Sequence, residues 1–256
     1  MKVVILCGGL GARLREETEF RPKPMVYIGH RPILWHIMKI YAHYGYNDFV
    51  LALGYKGEMI KEYFLNQKYF THDFTIETKN GETVLYKNNE KDKDDFKITF
   101  VDTGQNSLTG ERLRRVKEYL NGEPFMCTYG DGVSNINIKA LVDFHKQKGK
   151  IGTITAVHPR SKWGLVQVDD NDMAVEFRQK PVLNEFVNGG FMVFENSFID
   201  MIKEGEMIEE GLQRLLPQRE LSVYNHKDFW FAMDTYQDLT DLNKLWLENP
   251  EWRIWN

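Results

Sequence analysis

The chain has 256 residues, 42% of them hydrophobic and 27% charged, and a formal net charge of −4. This length and mix suit a globular protein with a sizeable core, and the negative balance argues against a partner held by its nucleic-acid phosphate backbone. No apolar run approaches the roughly 20 residues needed to cross a bilayer, and the N-terminus lacks a signal-peptide layout, so the expectation is a cytoplasmic protein without a membrane partner.

In chain order, "KVVILC" is a continuous apolar run, as expected for a parallel strand buried on both faces. "PILWHIMKIYAHYG" opens on proline, closes on glycine and sets Ile33, Ile37, Ile40 and Tyr44 on one helical face. "DFVLALGY" reads as the next strand and "GEMIKEYFLN" as the next helix. "DFTIETKNGETVLYKN" reads as a hairpin with Asn80-Gly81 as its turn signal, and "NNEKDKDDFK" as a solvated charged loop. Strand "KITFVDTG", helix "TGERLRRVKEYL", strand "FMCTYGDG" and a helix around "IKALVDFHKQKG" follow. From 151 to 195 the patterns are mostly strand; then come short helices, the strand-like "LSVYNH" and "FWFAMDT", and the helix "YQDLTDLNKLWLEN". Alternating β and α patterns imply an α/β fold with a mainly parallel sheet. The reading is one domain. Residues 1–150 form its first part, and 151–256 a β-rich extension on the substrate side. Cys7 and Cys127, both near strand ends, read as buried thiols.

The stretch "CGGLGARLREETEFRPKPM" raises the question of chemistry. Gly8, Gly9 and Gly11 follow the first strand, where ligands bind in open α/β sheets. Without Cβ atoms they let backbone N–H groups approach a triphosphate. The loop is neither a P-loop nor a full dinucleotide fingerprint, because Leu14 stands where the third glycine belongs. Arg13 adds a cation, and Lys23 another, held between two prolines that restrict its backbone. Further local cations are Arg112, Arg114, Arg115 and Lys180. Asp131 ends the strand "FMCTY" within Tyr129-Gly130-Asp131-Gly132, and Asp234 ends "FWFAM"; together with phosphate oxygens the two carboxylates suit Mg2+. Lys180 before a proline and Asn188 before two glycines are candidates for a polyol phosphate. Each has a plainer reading as well: a tight turn, an exposed lysine, a helix-capping acid, a hairpin bend.

Taken together, "GGLGARL", "RPKPM", "ILWHIMKIY", "GYKGEMIKEYF", "VDTG", "TGERLRRV", "TYGDGV", "NGGFMVF" and "MDT" resemble the sugar-1-phosphate nucleotidyltransferases, in particular their cytidylyl branch, over nearly the whole chain. The resemblance implies a Rossmann-like sheet flanked by helices and a β-rich part that binds sugar and supports a homo-oligomer, a hexamer. It implies transfer of a cytidylyl group from CTP to glucose 1-phosphate with Mg2+, giving CDP-glucose and pyrophosphate. By match to the family's motifs, Arg13, Lys23 and Asp131 are catalytic. Leu6, Gly8, Gly9, Gly11, Ala12, Arg13, Lys23, Thr109, Arg112 and Gly130 meet the nucleotide. Gly164, Gln179, Lys180, Asn188 and Gly189 meet the sugar phosphate, and Asp131 and Asp234 hold the metal. Three positions depart from the pattern: Ala12 replaces a threonine, Gln179 a glutamate, and "MIEEGL" an aromatic-Glu-x-Glu-Pro segment in which only Glu210 matches. Two alternatives stay open: the same chemistry on another nucleotide, sugar or polyol phosphate, and a non-catalytic nucleotide-sugar sensor.

Overall fold

The computed structural model describes residues 1–86 and 94–255. Its first half builds β1 (Lys2–Cys7), a short α1 (Arg15–Thr18), the two-residue strands β2 (Tyr27–Ile28) and β3 (Arg31–Pro32), α2 (Ile33–His43), β4 (Asp48–Leu53) and α3 (Gly57–Thr71). The hairpin β5 (Phe74–Glu77) and β6 (Glu82–Leu85) follows, then β7 (Lys97–Asp102), α4 (Thr109–Arg115), β8 (Phe125–Tyr129), β9 (Gly132–Ser134) and α5 (Ile138–Lys148). The remainder adds β10 (Gly152–Val157), β11 (Leu165–Val168), β12 (Ala174–Arg178), β13 (Val187–Phe194), α6 (Ile208–Leu215), β14 (Leu221–Asn225), β15 (Trp230–Ala232) and α7 (Tyr236–Glu248).

Seven strands form one sheet in the order β14-β10-β13-β8-β1-β4-β7. All neighbours run parallel except β13, which is antiparallel to both β10 and β8. Three of its strands come from beyond residue 150, so the strand-rich second part extends the central sheet. β11 and β12 stand apart as a two-stranded arm, and β15 pairs with β9 outside the central sheet.

The apolar run of β1 is explained by its two faces. Val3, Ile5 and Cys7 enter one core with α2, α5 and α7, whereas Val4 and Leu6 enter a second core with α4 and α6. Period-two alternation with both faces covered leaves no position for a polar residue. Cys7 and Cys127 are free and buried, and burial pushes both thiols up.

Helix α2 departs from the one-faced amphipathic expectation: eight of its eleven residues are buried. The C-terminal segment covers its outer side. Trp246, Trp252 and Trp255 all pack their rings against His36, and Trp252 is fully buried. In the hairpin, Glu77 pairs with Glu82, leaving a four-residue loop that ends at Gly81 with φ 76°. The solvated-loop reading of 88–97 falls mostly on residues outside the described ones, but it fails at Asp94. That carboxylate is only 4% exposed and accepts from Trp35 Nε1 at 2.6 Å and Gln67 Nε2 at 2.8 Å, with Lys39 Nζ at 3.3 Å. A buried charge persists when donors replace its lost water, and a charge-run pattern does not reveal which member finds such donors.

Candidate active site

The carboxyl ends of β1 and β8, with the start of α4, open into a cleft of about 350 Å³. The glycine loop forms one wall. Gly11 adopts φ 63°, and Leu14 N donates to its carbonyl at 2.9 Å, which turns the chain into a short helical turn at Ala12–Leu14. A Cβ on Gly11 would stand 2.7 Å from Thr18 Cγ2, so both backbone angle and space require glycine here.

Arg112, from α4, lies beneath the loop. Its Nη1 donates to Leu53 O, Thr103 Oγ1 and Gly104 O at 3.0, 2.7 and 2.8 Å, and its Nη2 to Gly8 O and Gln105 O at 2.9 and 3.3 Å. The guanidinium is wedged between Gly8 and Gly54, at each of which a Cβ would come within 2.6 Å of it. Arg112 thus lines the cleft while bracing the ends of β1, β4 and β7, and burial pulls its pKa down. Thr109 also lines the cleft, but its Oγ1 accepts from Ile208 N at the start of α6. Arg114 and Arg115 are tied to the carbonyls of Ile202 and Thr103.

At the floor, Pro22 and Pro24 frame Lys23 in a tight turn, and its side chain is only 11% exposed. Its Nζ lies 2.6 Å from Asp131 Oδ2 and 2.9 Å from Asp234 Oδ1. The β9–β15 pairing explains how residues 103 positions apart meet. Gly132 pairs with Ala232, and Met233 N donates to Asp131 O at 2.9 Å. Asp234 Oδ2 also takes Arg13 Nη1 at 3.0 Å and Lys162 Nζ at 3.7 Å. Burial pushes the Asp234 carboxyl up, but Lys23, Arg13 and Lys162 outweigh it and hold it below its ordinary range. Burial likewise lowers Lys23, and the hydrogen bonds and charges of Asp131 and Asp234 reverse this to a net rise.

Two carboxylate oxygens converging on one ammonium define a position for a cation. Among the described residues no set of three His, Cys, Asp or Glu side chains gathers to hold a metal. A divalent ion here would therefore draw its remaining ligands from phosphate oxygens and water, as Mg2+ does. The donor set fits that ion.

Of the nucleotide-side expectations, Leu6, Gly8, Gly9, Gly11, Ala12, Arg13, Lys23, Thr109, Arg112, Gly130 and Asp131 all line the one cleft, and Asp234 joins them through Lys23 and Arg13. The sugar-side residues fall in two places, Gly164, Gln179 and Lys180 at the base of the β11–β12 arm and Asn188 and Gly189 on β13. A Cβ on Gly164 would stand 3.0 Å from Gln179 Oε1, and Lys180 follows with φ 46°, exposed. Asn188 Oδ1 accepts from Gly190 N at 3.0 Å, and Gly189 O accepts from Trp230 Nε1 at 2.7 Å. Gly190 presses on the ring of Tyr129, which lines the cleft.

Sequence reading missed Lys162, the cleft residues Leu108 and Met207, and Glu209, which accepts from Tyr129 Oη at 2.8 Å. It also missed Asp238, whose Oδ2 accepts from Asp234 N and Thr235 N at 3.0 and 2.8 Å. The signal for Asp238 was present: Thr235-x-x-Asp238 is a capping-box spacing and forms one at the start of α7.

A mostly parallel sheet with a glycine-lined cleft and a convergent carboxylate pair at the carboxyl ends of its strands is the arrangement in which open α/β folds bind ligands. The chain belongs to the nucleotidyl transferase family, whose model matches residues 2–249. It is 44% identical over 262 residues to the glucose-1-phosphate cytidylyltransferase of Salmonella typhi, covering all of both chains. Its identity to the enzyme of the same name from Salmonella typhimurium is also 44%, again over the full length of both. The crystal structure of HddC from Yersinia pseudotuberculosis superimposes with a TM-score of 0.67 over 96% of this chain and 99% of that one; at 19% identity that likeness concerns the fold.

Proposed function

We propose that the protein transfers the cytidylyl group of CTP to glucose 1-phosphate, giving CDP-glucose and pyrophosphate. The observation that carries this reading is the convergence of Asp131 and Asp234 on Lys23 Nζ below the glycine loop, in a chain 44% identical end to end to enzymes of that name.

A phosphate oxygen of the sugar phosphate attacks the α-phosphorus of CTP, forming the new P–O bond as the bond to the β-phosphate oxygen breaks and pyrophosphate leaves. The attacking oxygen is already ionised at neutral pH, so no general base is needed. Catalysis is then alignment and relief of growing negative charge. The backbone of Gly8–Gly11 cradles the triphosphate, and Arg112 holds that backbone in place. Arg13 and Lys23 stabilise the departing pyrophosphate. Lys180 aligns the attacking phosphate, while Gln179, Gly164, Asn188 and Gly189 meet the sugar. Asp131 and Asp234 would hold Mg2+, which neutralises charge on the phosphate oxygens when bound. In this reading residues 1–150 serve the nucleotide, and the later residues serve the sugar and self-association into a cytoplasmic homo-oligomer.

The experiment is a matrix of CTP, UTP, ATP and GTP against several sugar 1-phosphates, with pyrophosphate as the readout. The reading expects CTP with glucose 1-phosphate to lead. Release with no nucleotide would leave the sensor alternative, and a different leading pair would redirect the substrate assignment.

A further inference from the structure

We propose that Lys162 is a substrate-binding residue: its ammonium and that of Lys180 hold the phosphate of the sugar phosphate from two sides. This rests on the functional reading above and adds to it a residue that no motif singled out.

The backbone around Lys162 is fixed more firmly than its side chain. Arg160 forms an antiparallel bridge with Val182, Ser161 N donates to Pro181 O at 2.8 Å, and Leu183 N donates to Pro159 O at 2.9 Å. Ser161 is buried, and its Oγ closes a turn by donating to Trp163 O at 2.8 Å while accepting from Trp163 N at 3.1 Å. Lys162 stands two residues after Arg160, and Lys180 two residues before Val182, so an antiparallel count from this isolated bridge sets the two lysine positions opposite each other in register. Gly164 and Gln179 continue the same pair of chains towards the β11–β12 arm.

The side chain, by contrast, has only loose contacts. Lys162 Nζ is 3.4 Å from Asp238 Oδ2 and 3.7 Å from Asp234 Oδ2, and the side chain is 47% exposed. Neither acid needs it. Asp238 Oδ2 already accepts from Asp234 N, Thr235 N and Thr235 Oγ1 at 3.0, 2.8 and 2.8 Å. Asp234 already has Lys23 and Arg13 at 2.9 and 3.0 Å. An ammonium with three N–H donors is therefore parked on carboxylates satisfied without it.

Its position connects the two halves of the site. The root of Lys162 lies at the base of the β11–β12 arm, on the chain pair that carries Gly164, Gln179 and Lys180, and its tip lies at a carboxylate of the cation site. In the proposed reaction the attacking phosphate sits between the sugar-side residues and the α-phosphorus at the cation site. A phosphate arriving there faces the negative charge of Asp131 and Asp234, and a lysine already poised at Asp234 offsets that repulsion and offers short, charge-assisted hydrogen bonds in place of two long ones.

The test compares wild type with Lys162→Gln and Lys162→Arg. Three readouts are taken: KM for each substrate with the other saturating, calorimetric binding of glucose 1-phosphate without CTP, and the melting temperature. We expect Lys162→Gln to raise the KM of glucose 1-phosphate by about 10- to 100-fold, to weaken direct binding correspondingly, and to leave the KM of CTP and the melting temperature nearly unchanged. Lys162→Arg should recover most of the loss. An unchanged KM for glucose 1-phosphate in Lys162→Gln overturns the assignment. So does a rise in both KM values together with a lower melting temperature, which would make Lys162 a clasp between the arm and α7. A wild type that releases no pyrophosphate from CTP and glucose 1-phosphate overturns the functional reading and this assignment with it; an active wild type whose Lys162→Gln variant keeps the wild-type KM for glucose 1-phosphate overturns the assignment alone.

Discussion

Gly8 and Arg112 are in such close contact that a Cβ built on the glycine would stand 2.1 Å from Arg112 Cζ. The guanidinium cannot step aside freely, because it donates to five acceptors on three segments of chain and Gly54 backs its other side. Gly8→Ala should therefore dislodge Arg112 and leave several buried carbonyls unpaired, each worth about 1–3 kcal/mol. Chemical denaturation should show a loss of about 2–4 kcal/mol, with a raised KM for CTP as the loop loses its brace. A variant of wild-type stability would mean that the guanidinium has room to move.

Lys23 holds two carboxylates together in the free protein and stabilises pyrophosphate in the proposed reaction. Lys23→Ala should lower kcat by about 10²-fold or more, comparable to removing one preorganised donor from a charged transition state. A change confined to a modest rise in the KM of CTP would mark a contact made equally in ground and transition states.

Gln179 stands where the family pattern has glutamate, beside Gly164. An ionised carboxylate accepts hydrogen bonds from two sugar hydroxyls, whereas the amide offers one acceptor oxygen and a donor. A lost charge-assisted hydrogen bond costs about 1.5–3 kcal/mol. Gln179→Glu should accordingly raise kcat/KM for glucose 1-phosphate by about 10- to 150-fold. An unchanged or lower value would show that the amide serves the same sugar.

His36 predicts a pH dependence of stability that is independent of catalysis. Its Nε2 donates to Ile28 O at 3.0 Å, and its Nδ1 accepts from Trp252 Nε1 at 3.3 Å, so the ring is neutral. Burial lowers its pKa to about 4, with His30 and Arg31 as nearby charges and the backbone bond to Ile28 opposing the shift. The unfolded chain takes up a proton near pH 6.5 and the folded one only near 4, so the contribution is present above 6.5 and is lost as pH falls towards 4. Urea unfolding at pH 7 and pH 5 should show His36→Gln losing about 2 kcal/mol less than wild type over that interval. Equal losses would contradict a neutral, buried His36.

Most of the cleft was legible because it is built locally. Glycines at a strand end, a lysine between prolines and a carboxylate at the close of an apolar run each signal a backbone geometry before any long-range contact exists. Asp131 and Asp234 could be nominated singly, but their meeting depends on the β9–β15 register. Arg112 looked like a phosphate-facing cation, yet most of its donors are occupied by carbonyls, a division that only the packing of Gly8 and Gly54 reveals. Asp94 was hidden within a charge run because its donors, Trp35, Lys39 and Gln67, lie on two helices far away in sequence. The burial of α2 on nearly every face was likewise illegible, since its outer cover is the C-terminal tryptophan cluster.

The central claim is that Asp131 and Asp234 organise cytidylyl transfer. The most direct measurement follows CDP-glucose and pyrophosphate together from CTP and glucose 1-phosphate at saturating Mg2+, in wild type, Asp131→Asn and Asp234→Asn, with circular dichroism as the check on folding. The account predicts equimolar products from wild type and near loss of both from each folded variant, because an amide cannot neutralise the cation. A folded variant that keeps a near-normal rate, or a wild type that yields no CDP-glucose, would contradict it.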